Sequence, residues 1–530
     1  MTIYFVGMCV AMAIYVIVGF VVSKKVKNAD DFYVAGRKAP VLLIAGSMIA
    51  SYTSTGMFMG DAAQCYDGAF SSIIIFAGMQ SAGYLVGAIF FGRYLRRSNA
   101  MTIPDFFGKR FCSRRLQILA AITAIIMMSV YLLSVVQGIG TLMGAVTGVD
   151  YRICIAIALV VFTVVVVTSG SNGVLITDTI MAGVFTLGVV ISMLVISDSA
   201  GGWFDAVNSV VTNPATSDYL SWGGHPGVLY NTGIENVVWG FTYGIVWMSV
   251  CMVGPWQSSR YLMAKNEHAI IRSAPIAAIG VFLLEFLVGM SAVFVNVLNP
   301  DLSDSSQVMI WAAINILPKF LGILLLTGVL SAGISSATTF LSLIGSSVAN
   351  DIYTKKDNDK KSVRLARVSM IGVSLVILLL AIFNPPSIFW IMFLGGAVAA
   401  SSWMPVAVAS VFSKRVTKYG AFSGMLAGFL GCFIVKLYSA LAGVSLPVYL
   451  DPSIVGVLCN VVAMAIASAA TKVTKEEAEM RKRMFVIPKT ELCPVEVKRT
   501  MKWSVASIGV GVAVVVCLLG LWVIPYLISL

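Results

Sequence analysis

Thr327 to Tyr353 reads TGVLSAGISSATTFLSLIGSSVANDIY. The stretch is apolar enough to cross a membrane, yet it carries small hydroxyl residues at a regular spacing. Ala332, Ser335 and Ser336 stand at i, i+3 and i+4, so on a helix they share one face. They offer two hydroxyl oxygens and a nearby carbonyl, an all-oxygen donor set of the kind a hard cation accepts. The same residues have a purely structural use. Serine hydroxyls in membrane helices bond back to carbonyls one turn earlier, and small side chains let helices pack closely. Spacing alone leaves both readings open.

Three carboxylates also lie in apolar runs. Asp178 sits about four residues into one of them. A carboxylate inside a membrane helix is a functional candidate, but an acid in a first helical turn also simply favours the helix dipole. Asp61 and Glu285 are each compatible with a paired, protonated or water-facing state, and the sequence assigns neither a role. The two His, His225 and His268, fall in loops, and the nine Cys form no CxxC pair. Most of these Cys read as small buried hydrophobes. Nothing here makes a metal cluster, a His-based catalytic centre or a phosphate loop, so no enzyme and no organic cofactor is expected.

These residues have to be held by membrane helices. The chain has 530 residues, 58% hydrophobic and 11% charged, against about 25% charged in soluble proteins. Apolar runs of 18 or more residues recur from end to end and each reads as a spanning helix. A β-barrel would alternate in short segments instead. The expectation is an all-α polytopic membrane protein, a single transporter domain over 1–530. About fourteen spans are expected, near 3–23, 41–65, 69–92, 116–146, 152–170, 174–197, 234–256, 274–298, 320–350, 365–383, 387–411, 420–441, 452–471 and 503–528. A tight turn, Gly170-Ser-Asn-Gly173, separates the fifth and sixth.

The net charge of +12 does not point to nucleic acid, because 33 of the 36 Lys and Arg fall in alternate loops. Those loops are 24–40, 93–115, 257–273, 351–367, 414–418 and 472–502; only Arg152, Lys319 and Lys436 lie elsewhere. By the positive-inside rule these loops are cytoplasmic and both termini lie outside. The loop 198–233 has no Lys or Arg and is placed outside, as is 299–319, with room for a short helix. No basic segment precedes the first apolar run, and Lys24, Lys25 and Lys27 follow it, which suits an uncleaved first span. The last span runs nearly to the end of the chain, so no appended signalling domain is expected.

Two spans carry breaks. The second is interrupted by Ser51-Tyr-Thr-Ser-Thr-Gly56, and the seventh contains Gly240, Gly244 and Gly254-Pro255. They stand five spans apart, which gives them opposite topology. Broken helices at matching places in two inverted halves point to a midplane transport site.

Three motifs resemble the sodium/solute symporter family, the group containing bacterial sugar, proline, pantothenate and acetate symporters. DDFYVAGRKAP before the second span is similar to that family's first loop. GSNGVLITDTIM is similar to its glycine-turn motif, with Gly170, Gly173, Thr177 and Asp178 in place and Met181 where Gln is usual. LSAGISSATTFLSLIGSSVANDIY is similar to its ninth-helix signature. The resemblance implies a leucine-transporter-like core of five plus five helices in inverted repeat. The first repeat would be 41–197 and the second 234–411, with 420–530 peripheral. It also implies a sodium site made of the carbonyls of Ala50 and Thr53, the carbonyl of Ala332, and the hydroxyls of Ser335 and Ser336. Asp178 would be a transient sodium contact on the cytoplasmic exit path. A broken helix frees carbonyls that a continuous one spends on its own ladder.

The solute cavity is then expected between the second, third, seventh and eleventh spans. Thr55, Met57, Gln80, Ser81, Trp247, Met252, Ser402 and Trp403 are the candidates to line it, although most Met and aromatic residues of membrane helices only pack. No Lys or Arg is expected deep in these spans. The expected function is sodium-coupled import of a small organic solute across the cell membrane, with the bilayer and the solute as partners and no obligatory protein partner. Asn384-Pro385-Pro386 and the eleventh span resemble the pantothenate and monocarboxylate branches, which favours an organic acid. An amino-acid (proline-like) or sugar symporter remains an alternative. So does proton coupling through Asp61, Asp178 or Glu285.

Overall fold

A long apolar segment in hydrocarbon must satisfy its backbone internally, and the helix does so within one segment. The computed structural model describes residues 2–23, 34–167, 174–353, 359–383, 388–444 and 446–530. Among them all regular structure is helical, apart from one isolated bridge between Ala39 and Ala264. The principal helices are α1 (Thr2–Ser23), α2 (Val41–Tyr52), α3 (Gly56–Tyr66), α4 (Phe70–Arg97) and α5 (Arg114–Thr147). Next come α6 (Tyr151–Val167), α7 (Val174–Ser199), α8 (Gly233–Val253), α9 (Pro255–Met263) and α10 (Glu267–Leu298). The series ends with α11 (Lys319–Ile352), α12 (Asp359–Phe383), α13 (Ile388–Phe412), α14 (Lys418–Ala442), α15 (Pro452–Ala469) and α16 (Pro494–Ser529).

Among the described residues, eleven helices are long and apolar enough to span a membrane, or twelve if the bent pair α2–α3 is one span. Shorter apolar helices, Ile3–Ile14 and Tyr151–Val167, stand where the first and fifth spans were expected. The expected turns at Gly170–Gly173 and at Asn384–Pro386 lie outside the described residues, as do the basic loop residues 24–33 and 354–358.

Burial sorts the helices. In α10, α11 and α13, 72% or more of the apolar window is buried, whereas in α14, α15 and α16 the share is 17%, 22% and 6%. The latter three are apolar without being buried, so their flanks suit lipid. Most of the expected basic loops gather at one end of the bundle. There Arg97 pairs with Glu267 and donates to the carbonyl of Met484. Arg110 donates to the carbonyls of Ser410 and Glu477. Arg96 donates to the Ala264 carbonyl and Arg272 pairs with Glu496 at 2.7 Å. The amphipathic helix Lys475–Phe485 docks on this layer, started by a capping box between Thr474 and Glu477. The opposite end joins the loops around residues 198–233 and 299–319, and two short helices form there, Trp203–Thr212 and Val308–Asn315.

The second span breaks where expected. Helix α2 ends at Tyr52, Thr53 takes ψ 94°, and α3 resumes at Gly56 with a 42° bend. Its first turn, Gly56–Asp61, is π-helical, a geometry that recurs at functional sites. The seventh span departs from expectation. Gly240 and Gly244 lie inside an unbroken α8, and the interruption is confined to Gly254, with ψ 132°, just before Pro255. The two glycines serve close packing. A Cβ at Gly240 would stand 2.9 Å from the Ser72 carbonyl oxygen, and one at Gly244 would stand 2.6 Å from Met79 Sδ.

A second departure concerns charge. Arg260 was assigned to a loop, and no cation was expected in the core. The structure puts Arg260 on α9 with only 2% of its surface exposed. Counting by loops fails here because α9 follows the break so closely that it reads as loop, while its one basic residue points inward to an acid.

Candidate ion and solute site

The break between α2 and α3 sits against α5 and α11. Thr55 donates from Oγ1 to the Val135 carbonyl at 3.2 Å. Two glycines leave room for it. A Cβ at Gly138 would approach Thr55 Cβ to 2.6 Å, and one at Gly333 would approach Thr55 Cγ2 to 3.2 Å. Ser54 Oγ accepts from the Gly56 N–H and meets the Tyr131 hydroxyl at 3.2 Å. The Thr53 hydroxyl donates to the Ile49 carbonyl at 2.9 Å and lies 3.4 Å from that of Ala50. The expected oxygens of Ala50 and Thr53 are therefore at the end of α2, where the helical ladder stops.

On α11 four hydroxyls do what packing alone predicts. Thr327, Ser331, Thr338 and Ser346 each bond back to a carbonyl of the preceding turn. Ser335 and Ser336 do not. Ser335 Oγ donates to Asp178 Oδ1 at 2.5 Å. Ser336 Oγ is buried and has no hydrogen-bond partner. A buried hydroxyl without a partner costs about 1–3 kcal/mol, so it marks a place where an oxygen is kept available. Ser335 spends only its proton on Asp178, and its lone pairs remain free to face a cation.

Asp178 is fully buried on α7 and collects three helices. Its Oδ2 accepts from Ser47 Oγ of α2 at 2.6 Å and from Arg260 Nη2 of α9 at 3.0 Å. Arg260 also donates to Ser47 Oγ at 3.0 Å, Thr339 Oγ1 of α11 at 3.1 Å, Ser259 Oγ at 3.2 Å and the Trp256 carbonyl at 2.5 Å. Arg260, Ser47 and Thr339 were not singled out from the sequence. A cavity of about 10 Å³ beside Ser47, Arg260 and Thr339 is about the smallest volume that admits a water. Asp351 closes α11 at the basic end. It accepts from Thr102 Oγ1 at 2.8 Å and Gln117 Nε2 at 2.9 Å.

The solute candidates divide. Trp247 is at the centre of a ring cluster, with Tyr52, Phe76, Tyr131 and Phe393 at centroid distances of 5.9, 5.9, 5.8 and 5.7 Å. Gln80 Nε2 donates to the Tyr52 hydroxyl at 2.5 Å, which ties Gln80 to the same cluster. Trp247 Nε1, Gln80 Oε1 and Ser81 Oγ are buried without partners. Thr55 and Met57 lie at the break and are buried. The other three candidates are engaged elsewhere. Ser402 Oγ donates to the Met425 carbonyl of α14 at 3.0 Å, and Trp403 Nε1 donates to Thr123 Oγ1 of α5 at 2.9 Å. The turn Ala399–Trp403 is π-helical, and the extra residue rotates these side chains out of the α-helical register that the sequence reading assumed. Met252 backs onto α4, its Cα 2.8 Å from where a Gly87 Cβ would stand.

Sequence reasoning missed Tyr52 and Tyr131. Tyr52 lies inside the polar stretch that announces the break, so its place was readable; Tyr131 had no local signal. From the cluster, Phe393 leads to Tyr243 at 4.8 Å, and the Tyr243 hydroxyl donates to Asp451 Oδ2 at 2.9 Å. Tyr243 and Asp451, with Tyr230, Trp390 and Lys436, line a cavity of about 520 Å³ at the end opposite the basic loops.

The fold is shared with a solved structure, and the sequence has known relatives. A substrate-bound, outward-open Na+-coupled sialic acid symporter superposes with a TM-score of 0.74 at 18% identity, covering 89% of this chain and 99% of that one. The sodium/proline symporter of Escherichia coli (strain K12) is 25% identical over 455 residues, 81% of this chain and 87% of the relative. The sodium/pantothenate symporter of the same organism is 24% identical over 413 residues, 75% and 83% respectively. Residues 32–428 match the Sodium:solute symporter family, most of the chain's length, and the chain belongs to that family.

Proposed function

We propose that this protein is a Na+-coupled symporter that imports a small organic solute across the cell membrane by alternating access. Na+ is bound between the end of α2 and the middle of α11. Its ligands are the carbonyls of Ala50, Thr53 and Ala332 and the hydroxyls of Ser335 and Ser336. The observation that carries this reading is the buried, unpartnered Ser336 hydroxyl beside Ser335, on a helix whose other hydroxyls mostly bond back to their own backbone. Neutral oxygens suit a monovalent cation, and Asp178 takes the Ser335 proton, which leaves that hydroxyl's lone pairs for the ion. Residues 41–197 and 234–411 form the inverted repeats, 420–530 lie outside them, the basic end faces the cytoplasm, and both termini face outward.

Binding Na+ ties α2 to α11 and fixes the break, which presents Thr55, Met57, Gln80, Ser81 and the Trp247 cluster to solute arriving from the larger cavity. An organic acid is the favoured solute. Trp247 Nε1 and Ser81 Oγ are buried donors awaiting an acceptor, and Arg260 is already committed to Asp178. A potential of about 100 mV supplies about 2.3 kcal/mol per charge and a tenfold Na+ gradient about 1.4 kcal/mol more, enough for accumulation of a few hundred-fold per ion.

Na+-induced thermal stabilisation of the purified protein tests the site. Losing one neutral ligand at about 1–1.5 kcal/mol raises the half-saturating Na+ concentration about 5- to 12-fold in S336A. Because that hydroxyl is buried without a partner in the protein, removing it does not lower the melting midpoint measured without Na+. An S335A/S336A double variant with wild-type Na+ dependence refutes the assignment.

A further inference from the structure

The sodium and solute readings leave two buried carboxyl groups unused. Asp61, on the π-helical turn of α3, and Glu285, on α10, are each 1% exposed, and their carboxyls lie within hydrogen-bonding reach of one another. Tyr52 donates its hydroxyl proton to Glu285 Oε2 at 3.0 Å and itself accepts from Gln80 Nε2. The second Asp61 oxygen, Oδ1, has no partner. The titratable groups that face the pair are Tyr52 from α2, Cys65 from α3 and Tyr131 from α5. None of them is a cation. Among the described residues no ion pair joins a Lys, Arg or His to either carboxyl, and no group of three or more His, Cys, Asp and Glu is placed to hold a metal.

An ionised carboxylate has acceptors only, so two of them cannot hydrogen-bond to each other. The Tyr52 proton is already spent on Glu285. A hydrogen bond between Asp61 and Glu285 therefore needs a proton that the pair itself has bound, and like charges close together and out of water do not both stay ionised. We infer that Asp61 and Glu285 hold one proton between them and form a proton-binding site of the transporter, separate from the oxygens of α2 and α11.

The site has a mechanical consequence. Asp61 rides on the helix that follows the break, and Glu285 belongs to its packing partner α10. With the proton bound, α3 lies against α10 as it does here. Release of that proton to solvent leaves two carboxylates facing each other, and their repulsion favours moving α3 off α10. The same step changes the charge presented near Tyr52 and Gln80, next to the Trp247 cluster. The proton therefore acts on the solute side of the break, while Na+ acts on the other.

Infrared spectroscopy of the purified full chain in lipid vesicles at neutral pH tests this. A protonated-carboxyl C=O band that shifts in D2O is expected in the wild type. That band is lost or shifted in both D61N and E285Q and retained in D178N, whose target is ion-paired. If one of the two variants does not fold, the other and the wild type still decide. Absence of the band from the wild type, or a band unmoved by the substitutions at Asp61 and Glu285, overturns the proposal. Na+-induced stabilisation of E285Q is read separately, so failure of the proton site is distinct from failure of the sodium site.

Discussion

The Asp178–Arg260 pair allows a test in which two similar substitutions cost different amounts. Removing one partner of a buried ion pair costs about 3–5 kcal/mol because the other charge is stranded. How badly it is stranded depends on what else holds it. In R260Q, Asp178 keeps two strong donors, Ser47 Oγ at 2.6 Å and Ser335 Oγ at 2.5 Å, so the cost falls near the lower figure. In D178N, Arg260 keeps only neutral acceptors: the hydroxyls of Ser47, Ser259 and Thr339 and the Trp256 carbonyl. A delocalised cation without a carboxylate is the worse case, so D178N falls near the upper figure. The double variant D178N/R260Q removes both charges and strands neither, and replacing a whole buried pair is often close to neutral. The assay is the unfolding midpoint of detergent-purified protein in Na+-free buffer, where the ion site contributes nothing. The expected order is wild type, double variant, R260Q, D178N. A double variant less stable than both single ones, or D178N as stable as wild type, refutes the reasoning that the pair is a closed electrostatic unit.

Two further expectations follow from particular contacts. Cys112 and Cys493 are exposed on the basic end, so an impermeant maleimide leaves both unlabelled in intact cells and labels them once the membrane is opened; labelling in intact cells reverses the proposed orientation. In G333A the new Cβ lies 2.5 Å from Ile139 Cδ1 and 3.2 Å from Thr55 Cγ2, and overpacking of about 1–3 kcal/mol lowers the melting midpoint. G183A, with nothing within 4 Å, leaves it unchanged, and equal midpoints for the two variants would show that the close approach of α11 to the break is not needed.

What was legible in the sequence follows from how far each signal reaches. Span positions came from hydropathy, which is local, and most boundaries of the long helices agree to within a few residues; α10, α12 and α16 begin several residues earlier than expected, and α4 ends five residues later. The break at Ser51–Gly56 was legible because polar residues in mid-membrane have few other uses. Gly240 and Gly244 were misread because a glycine that breaks a helix and one that admits a neighbour look alike until the neighbour, α4, is in place. Arg260 was misread because its partner lies 82 residues away on α7. Ser402 and Trp403 were misplaced because a π-helical turn shifts the register by one residue, and no residue type announces it. The carboxyl pair was visible as two acids, but their contact spans 224 positions of sequence and needed the fold.

Ser335 is where these observations meet. Its proton goes to Asp178, and in the proposed sodium site its lone pairs face the end of α2. A cation arriving there withdraws electron density from the oxygen and makes the hydroxyl a better donor, which strengthens the bond to Asp178. Asp178 in turn is shared with Ser47 on α2 and Arg260 on α9. Under the proposed mechanism, ion binding between α2 and α11 tightens a junction that also holds α7 and α9, and loss of the ion loosens the same four helices together. On the proposed sodium reading, such an interior couples ion occupancy to closure at the basic end of the bundle without any ligand having to touch Arg260, and it gives a reason for a cation of the protein's own to stand two hydrogen bonds away from the proposed site, through Asp178.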